Sequence, residues 1–341
     1  MKRSFRLILA AAVLVSLAAR DAFRTLSDRN ANTSLGKPYE LIVVCAPQQW
    51  DGPVGETLRG LLGAPVEYVN QIEPSFDLLR ILPRGFTNMA TRHRNILKVE
   101  IDPSVPEERT SITAEYDWRA APQIVLTLKG PSDAALLQYL AAHGRELVYV
   151  LEKTERDRAV DYAARYSEKH VAQAIEETFG VRMNVPKGYV LAKSENDFLW
   201  ARYEYPTASQ GFCIYTYPYT GPESLSRGAL LAARNKFVGR IPGPSDGSYM
   251  TTSEAFMPDL RMFSLEGRTW TEMRGFWDVA GDFMGGPFVS FTTVDEASNR
   301  VFTLDCYVYS PKLNKRNFLR GVEHLLYMVR FPDAERPATA E

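Results

Sequence analysis

Four histidines, three cysteines and a single Gly-x-Ser-x-Gly are the residues of this 341-residue chain with the most obvious chemical reach. The histidines stand at 93, 143, 170 and 324, with no His-Glu-x-x-His, and no two cysteines lie two to four residues apart. A structural zinc site needs four closely spaced nitrogen or sulfur ligands, so no metal is expected, and no other cofactor. Gly243-Pro244-Ser245-Asp246-Gly247 spells a nucleophile elbow. That turn requires a strand before the serine and a helix after it, and Pro242 and Pro244 make a plain loop the expectation. No phosphate-binding glycine loop follows a strand. Paired carboxylates such as Glu176-Glu177 fall on the solvated face of a helical pattern. No catalytic residue is nominated.

Two constellations suit binding instead. Arg80, Arg84, Arg92 and Arg94, with His93 and Lys98, form a locally basic stretch that could hold an anion, set against a surface balanced by acidic neighbours. The second comprises Trp270, Trp277, Asp282, Met284-Gly285-Gly286-Pro287-Phe288, Tyr307, Tyr309, Lys312, Lys315 and Arg316. Aromatic faces beside cations hold carbohydrate or peptide, although large aromatics more often bury in a core. The residues expected at a ligand or partner site are Trp277, Asp282, Tyr307, Tyr309, Lys315 and Arg316. In the strand pattern Val301–Tyr309, Tyr307 and Tyr309 fall opposite Phe302, Leu304, Cys306 and Val308, facing outward, and Cys306 is expected as a buried free thiol.

The elements that must position these residues are readable from hydrophobic period. Tyr39–Cys45 is a continuous apolar, β-branched run, the pattern of a strand buried on both faces. Phe76–Leu82, Ile96–Ile101 and Ile124–Leu128 read as strands, and Gly55–Leu62 as a short helix. Ser132 is placed to cap a helix that should stop at Gly144. Arg145–Phe179 carries a long helical pattern expected to close the first domain or bridge to the second. In the second half, Phe198–Glu204 with Gly211–Tyr217, and Phe288–Val294 with Val301–Tyr309, read as hairpins. Arg268–Val279 alternates as a strand, and Ser224–Val238 and Asn317–Val329 have amphipathic helical spacing. The expected fold is α+β, two sheet-plus-helix domains covering 38–180 and 181–333.

The N-terminus reads as an address. Lys2, Arg3 and Arg6 precede the apolar run Leu7–Ala19, shorter than the ~20 residues a spanning helix needs. Residues 1–19 are expected as a signal peptide, 20–37 as a flexible tether and 334–341 as a disordered tail. Leu17-Ala18-Ala19 begins a lipobox, but Arg20 stands where the lipid-bearing cysteine belongs, and guanidinium cannot form the thioether. The expectation is an exported, lipoprotein-like protein of the periplasm or outer membrane, with membrane association through the N-terminus. Lys+Arg 40 against Asp+Glu 41 excludes the strong basic excess of a dedicated nucleic-acid binder, and 45% hydrophobic residues exclude wholesale disorder.

Several of these pieces resemble a family. Gly36-Lys37-Pro38-Tyr39-Glu40, Trp50-Asp51-Gly52-Pro53-Val54-Gly55, Glu73-Pro74-Ser75-Phe76, Asp282–Phe288 and Tyr309-Ser310-Pro311-Lys312 with Lys315-Arg316 are similar to the uncharacterised Bacteroidota envelope lipoproteins of domain-of-unknown-function family 4837 (DUF4837). The resemblance implies export, usually with an N-terminal lipid, and offers no activity or catalytic residues. Separately, Val185-Pro186-Lys187-Gly188-Tyr189 resembles the opening of a PsbP-like α/β/α sandwich. The functional expectation is a non-enzymatic envelope module binding a protein or glycan partner. The alternative is an envelope hydrolase or transferase with its site in a cleft between the halves.

Overall fold

A computed structural model of the chain describes residues 33–332. The expected signal peptide, most of the tether and the C-terminal tail lie outside these residues. The last residues of the expected tether are held in place: Ser34 N–H donates to the Ala121 carbonyl at 3.2 Å and Leu35 N–H to the Arg92 carbonyl at 2.9 Å.

The chain divides into two units, one running up to Ala64 and from Pro74 to Glu155, the other made of Pro65–Glu73 and everything from Arg156 onward. In the first unit the apolar run becomes β1 (Glu40–Val44), near the middle of a five-stranded sheet. β2 (Asp77–Ile81), β1, β3 (Asn95–Ile101) and β5 (Ile124–Gly130) are parallel neighbours in that order, and β4 (Ser111–Tyr116) adds an antiparallel edge. Leu41 and Val43 of β1 point to one face and Ile42 and Val44 to the other, so both sides are apolar as expected of a doubly covered strand. The first face packs against α1 (Pro47–Asp51), α2 (Pro53–Leu62) and the long α3 (Asp133–Arg165) through Val54, Leu58, Leu62, Leu136, Leu140 and Leu147.

Ser132 caps α3 as expected, its Oγ accepting the Ala135 N–H at 3.3 Å. Gly144 does not end the helix. A Cβ at Gly144 would stand 2.6 Å from Leu61 Cδ1, so the glycine marks close approach of α2 and α3 rather than a terminus. The unit boundary falls inside α3: Leu151 belongs to the first core and Ala163 to the second. The second unit therefore begins well before residue 181. Val171, Ile175 and Phe179 of α4 (Lys169–Phe179) pack in its core, because their apolar stripe faces that sheet.

The second unit is built on an antiparallel sheet in the order β10 (Tyr249–Thr252), β12 (Arg268–Ala280), β13 (Gly285–Asp295), β14 (Arg300–Tyr309), β9 (Ser209–Pro218), β8 (Phe198–Glu204), β7 (Val190–Glu195), with β11 (Asp259–Leu265) also paired to β12. Leu199, Ile214, Phe302, Leu304 and Val308 face α4 and α6 (Arg316–Glu323) on one side. Phe198, Cys213, Tyr215 and Tyr307 face α5 (Arg227–Val238) on the other. Helices thus cover both faces of one sheet, and the chain as a whole is α+β. The helical pattern expected to reach Val329 ends at Glu323, continuing as a 3-10 turn and then β15 (Val329–Arg330), which pairs with β6 (Arg182–Met183).

All three cysteines are buried and free. Cys213 and Cys306 sit on neighbouring strands but on opposite faces, so they cannot bridge. Burial pushes the Cys45 thiol up to about 11 and raises the Cys213 and Cys306 thiols well above their ordinary value.

Candidate binding site

α5 covers only part of its face of the sheet. Beyond its C-terminus the chain turns through Ile241–Pro244, and this turn walls a cleft of about 620 Å³ within the second unit. The floor is an interlocked aromatic array. Trp200 of β8 donates its Nε1–H to the Tyr307 hydroxyl of β14 at 2.9 Å. Trp277 of β12 donates its own to the Val308 carbonyl at 3.2 Å and meets Tyr307 edge-on, ring centroids 5.7 Å apart. Tyr309 stands 6.4 Å from Trp277 and is half-buried.

Glycines make this array possible. A Cβ at Gly211 would lie 2.5 Å from the Tyr307 ring, and one at Gly286 would overlap the Val308 carbonyl oxygen beside Trp277. Only residues without side chains let these rings lie across the neighbouring strands. Prolines 206, 242, 244 and 311 contribute rigid walls, and Arg202, Glu204 and Lys312 supply charge. Arg202 pairs with Glu204 at 3.4 Å and lies 5.4 Å above the Trp200 ring centroid. Burial, eased by the Trp200 N–H, pushes the Tyr307 hydroxyl well above its ordinary value, so it stays protonated. The lining residues include no histidine, cysteine or aspartate.

The structure brings Trp277, Tyr307, Tyr309 and Lys312 together but separates the rest of the expected constellation. Tyr307 is on the face opposite Cys306, as its parity requires, yet it does not face outward: it is 4% exposed because Trp200 and Trp277 close over it. Trp277 is likewise a floor residue. Asp282 lies outside the cleft lining, in the β12–β13 turn, where it accepts the Ser245 hydroxyl and the Phe283 N–H. Those two donors, Ser245 first, hold its carboxyl below the usual range. Ser245 itself sits in the loop between α5 and β10, without the elbow's strand and helix. Lys315 and Arg316 are buried at the start of α6, which packs on the opposite face of the sheet from the cleft. Trp270 also packs on that opposite face, against Phe302 and Phe331.

The basic stretch of the first unit does not form one site. Arg94 pairs with the buried Glu155 at 2.6 Å, Arg92 donates to the Thr33 carbonyl at 3.1 Å, Arg80 faces Asp51 at 3.8 Å, and Arg84 is exposed in a separate 3-10 turn. Arg94, Arg92 and Arg80 are thus each engaged by a different neighbour.

Sequence reasoning missed Trp200, Arg202 and Glu204. Alternate residues of the expected strand Phe198–Glu204 share a face, but only the adjacency of β8, β9 and β14 brings that face to Tyr307. It also missed the pair beneath α5. Arg234 and Asp305, both wholly buried, meet at 2.8 Å, and Arg234 also donates to Thr252 Oγ1 at 2.7 Å. Burial raises the Asp305 carboxyl above its ordinary value, against the pull of Arg234.

The fold and cleft define a two-unit α+β protein with a preformed, aromatic-floored groove. Residues 168–328 match the family model described as Domain of unknown function (DUF4837), and residues 34–163 match a different one, Domain of unknown function (DUF8532). The DUF4837 resemblance therefore belongs to the second half, whereas Gly36–Glu40, Trp50–Gly55 and Glu73–Phe76 fall in the other match. No curated protein matches the chain. Among solved structures it is similar to "Crystal structure of LpqN involved in cell envelope biogenesis of Mycobacterium tuberculosis", at 14% identity and a TM-score of 0.27, covering 44% of this chain and 83% of that one.

Proposed function

We propose that the chain is an exported cell-envelope protein whose second unit binds an extended segment of a partner protein in the aromatic cleft. The observation that carries this reading is the interlocked Trp200–Tyr307–Trp277–Tyr309 array, fixed by its own hydrogen bonds and by glycines before any ligand arrives. Tryptophan, tyrosine and arginine carry most of the energy at protein interfaces, and a rigid surface loses little entropy on binding. The volume of about 620 Å³ falls within the range of roughly 300–1,000 Å³ typical of ligand sites. Export is supported by Lys2, Arg3 and Arg6 ahead of the apolar run Leu7–Ala19. Among the described residues no helix is long and apolar enough to cross a membrane. Site-specific photocrosslinking from the Tyr309 position tests the reading, because that ring is the half-buried end of the array.

A further inference from the structure

The same face of the second sheet holds another hollow, at the opposite end of α5. The first cleft is walled by Ile241–Pro244, just after α5, whereas this one is closed by Leu225, in the 3-10 turn just before it. Its volume is about 450 Å³. The contrast in chemistry is sharp, because its floor is hydroxyl-lined and its lining contains no aromatic ring.

Strand register explains the floor. Thr271 of β12 is directly opposite Thr292 of β13, which is directly opposite Thr303 of β14. The Thr292 and Thr303 hydroxyls bond each other at 2.9 Å, and Thr293 donates to the Thr269 carbonyl at 2.8 Å. Thr269, Thr271, Thr292 and Thr293 all line the hollow. A hydroxyl both donates and accepts, so Thr269, Thr271 and Thr292 can meet ligand hydroxyls in either sense.

Charge at the rim is balanced. Glu266 and Glu296 bring two carboxylates, and the Arg268 guanidinium beside them donates to the Val294 carbonyl at 3.1 Å while stacking 4.0 Å over Phe331 of the opposite face. Arg330 lies 3.5 Å from Glu266 and supplies the second cation. Such a rim gives no net attraction to an anion or a cation, but its carboxylates can accept from adjacent hydroxyls with paired hydrogen bonds. Met262, 73% exposed, and Leu225 add a small apolar wall suited to the C–H side of a saccharide ring.

We infer that this threonine-floored hollow binds a neutral polyhydroxylated ligand, a sugar residue, through Thr269, Thr271 and Thr292 with Glu266 and Glu296 at the rim. The site is independent of the aromatic cleft and of what that cleft binds. Threonine is also a good strand former, and valine would serve a purely structural role as well. Thr271→Val therefore separates the two roles, since it keeps the shape and removes the hydroxyl. Glu296→Gln provides a second variant at an exposed position that the fold does not need.

The experiment is ligand-observed and amide-shift NMR on the full chain, titrated with glucose, galactose and N-acetylglucosamine. At least one sugar is expected to bind saturably, shifting the Thr269, Thr271 and Thr292 amides. Thr271→Val and Glu296→Gln should each weaken it about tenfold or more, with the far-UV circular dichroism unchanged. The proposal is overturned if none of the three sugars binds, if neither folded variant weakens binding, or if the shifts centre on the Trp200 and Trp277 indole N–H signals.

Discussion

The Glu73 carboxylate accepts the backbone N–H of Arg316 at 2.8 Å and that of Lys315 at 2.7 Å, joining residues far apart in the chain at the first turn of α6. A helix start has N–H groups with no partner inside the helix, and a carboxylate satisfies them while facing the positive end of the helix dipole. Glu73 is 2% exposed, so water cannot replace it. This contact, with the Tyr68–Asp259 and Glu67–Arg261 pairs, is why Pro65–Glu73 belongs to the second unit.

Removing the carboxylate leaves two buried donors unmet. Glu73→Ala is predicted to lower the unfolding free energy of the full chain by about 1–3 kcal/mol. Glu73→Gln, which keeps one acceptor oxygen, should lose less. Urea denaturation followed by circular dichroism measures both, and equal stability of all three proteins would refute the role.

The Arg234–Asp305 pair is wholly buried, with the guanidinium 3.5 Å from the Phe288 ring centroid. Either single change, Arg234→Met or Asp305→Leu, strands a charge in the core and is predicted to cost about 3–5 kcal/mol. The double variant should recover most of that loss, and a double-mutant cycle in urea reads the coupling directly. Additive losses would show that the two residues act separately.

Burial holds His324 neutral down to about 4, against the pull of Glu323 and with Arg320 and Arg156 acting in the same direction as burial. In the unfolded chain the imidazole takes up a proton near 6.5, so the unfolded state binds more protons between those two values. Stability attributable to His324 is therefore full above about pH 6.5 and falls as pH drops towards 4, by an amount on the order of 3 kcal/mol. His324→Gln should flatten this segment of the stability–pH curve relative to the wild-type chain. Identical slopes from pH 7 to pH 4 would contradict it.

Gly211 gives Tyr307 its place in the cleft floor. Gly211→Ala puts a methyl group 2.5 Å from the ring and is predicted to destabilise the second unit by about 1–3 kcal/mol while disturbing the Trp200–Tyr307 hydrogen bond. A lowered melting temperature with altered tryptophan fluorescence is expected. An unchanged emission spectrum would show that the array tolerates movement.

Much of the fold was legible because burial on two faces leaves an unmistakable apolar run, as in Tyr39–Cys45. β4 (Ser111–Tyr116) was not, since it is an edge strand whose residues are largely exposed and polar. Gly144 misled because a glycine at a helix crossing and one at a helix end look alike in sequence. The aromatic cleft was half visible: Trp277, Tyr307 and Tyr309 stood out by type, whereas Trp200 needed the knowledge that β8, β9 and β14 are adjacent. Lys315 and Arg316 stood out because their cationic type is evident from sequence, whereas the buried Glu73 that meets their backbone is not.

The most direct test of the binding account places a photoreactive phenylalanine analogue at position 309 and irradiates the protein in its native envelope. A second chain carrying the analogue at Tyr166, an exposed tyrosine away from the cleft, serves as the control. The account predicts a discrete protein adduct from position 309 that is absent from position 166 and is lost when Arg202→Ala and Lys312→Ala are combined with the probe. The same adducts from both positions, or an adduct from position 309 indifferent to those two changes, would contradict it.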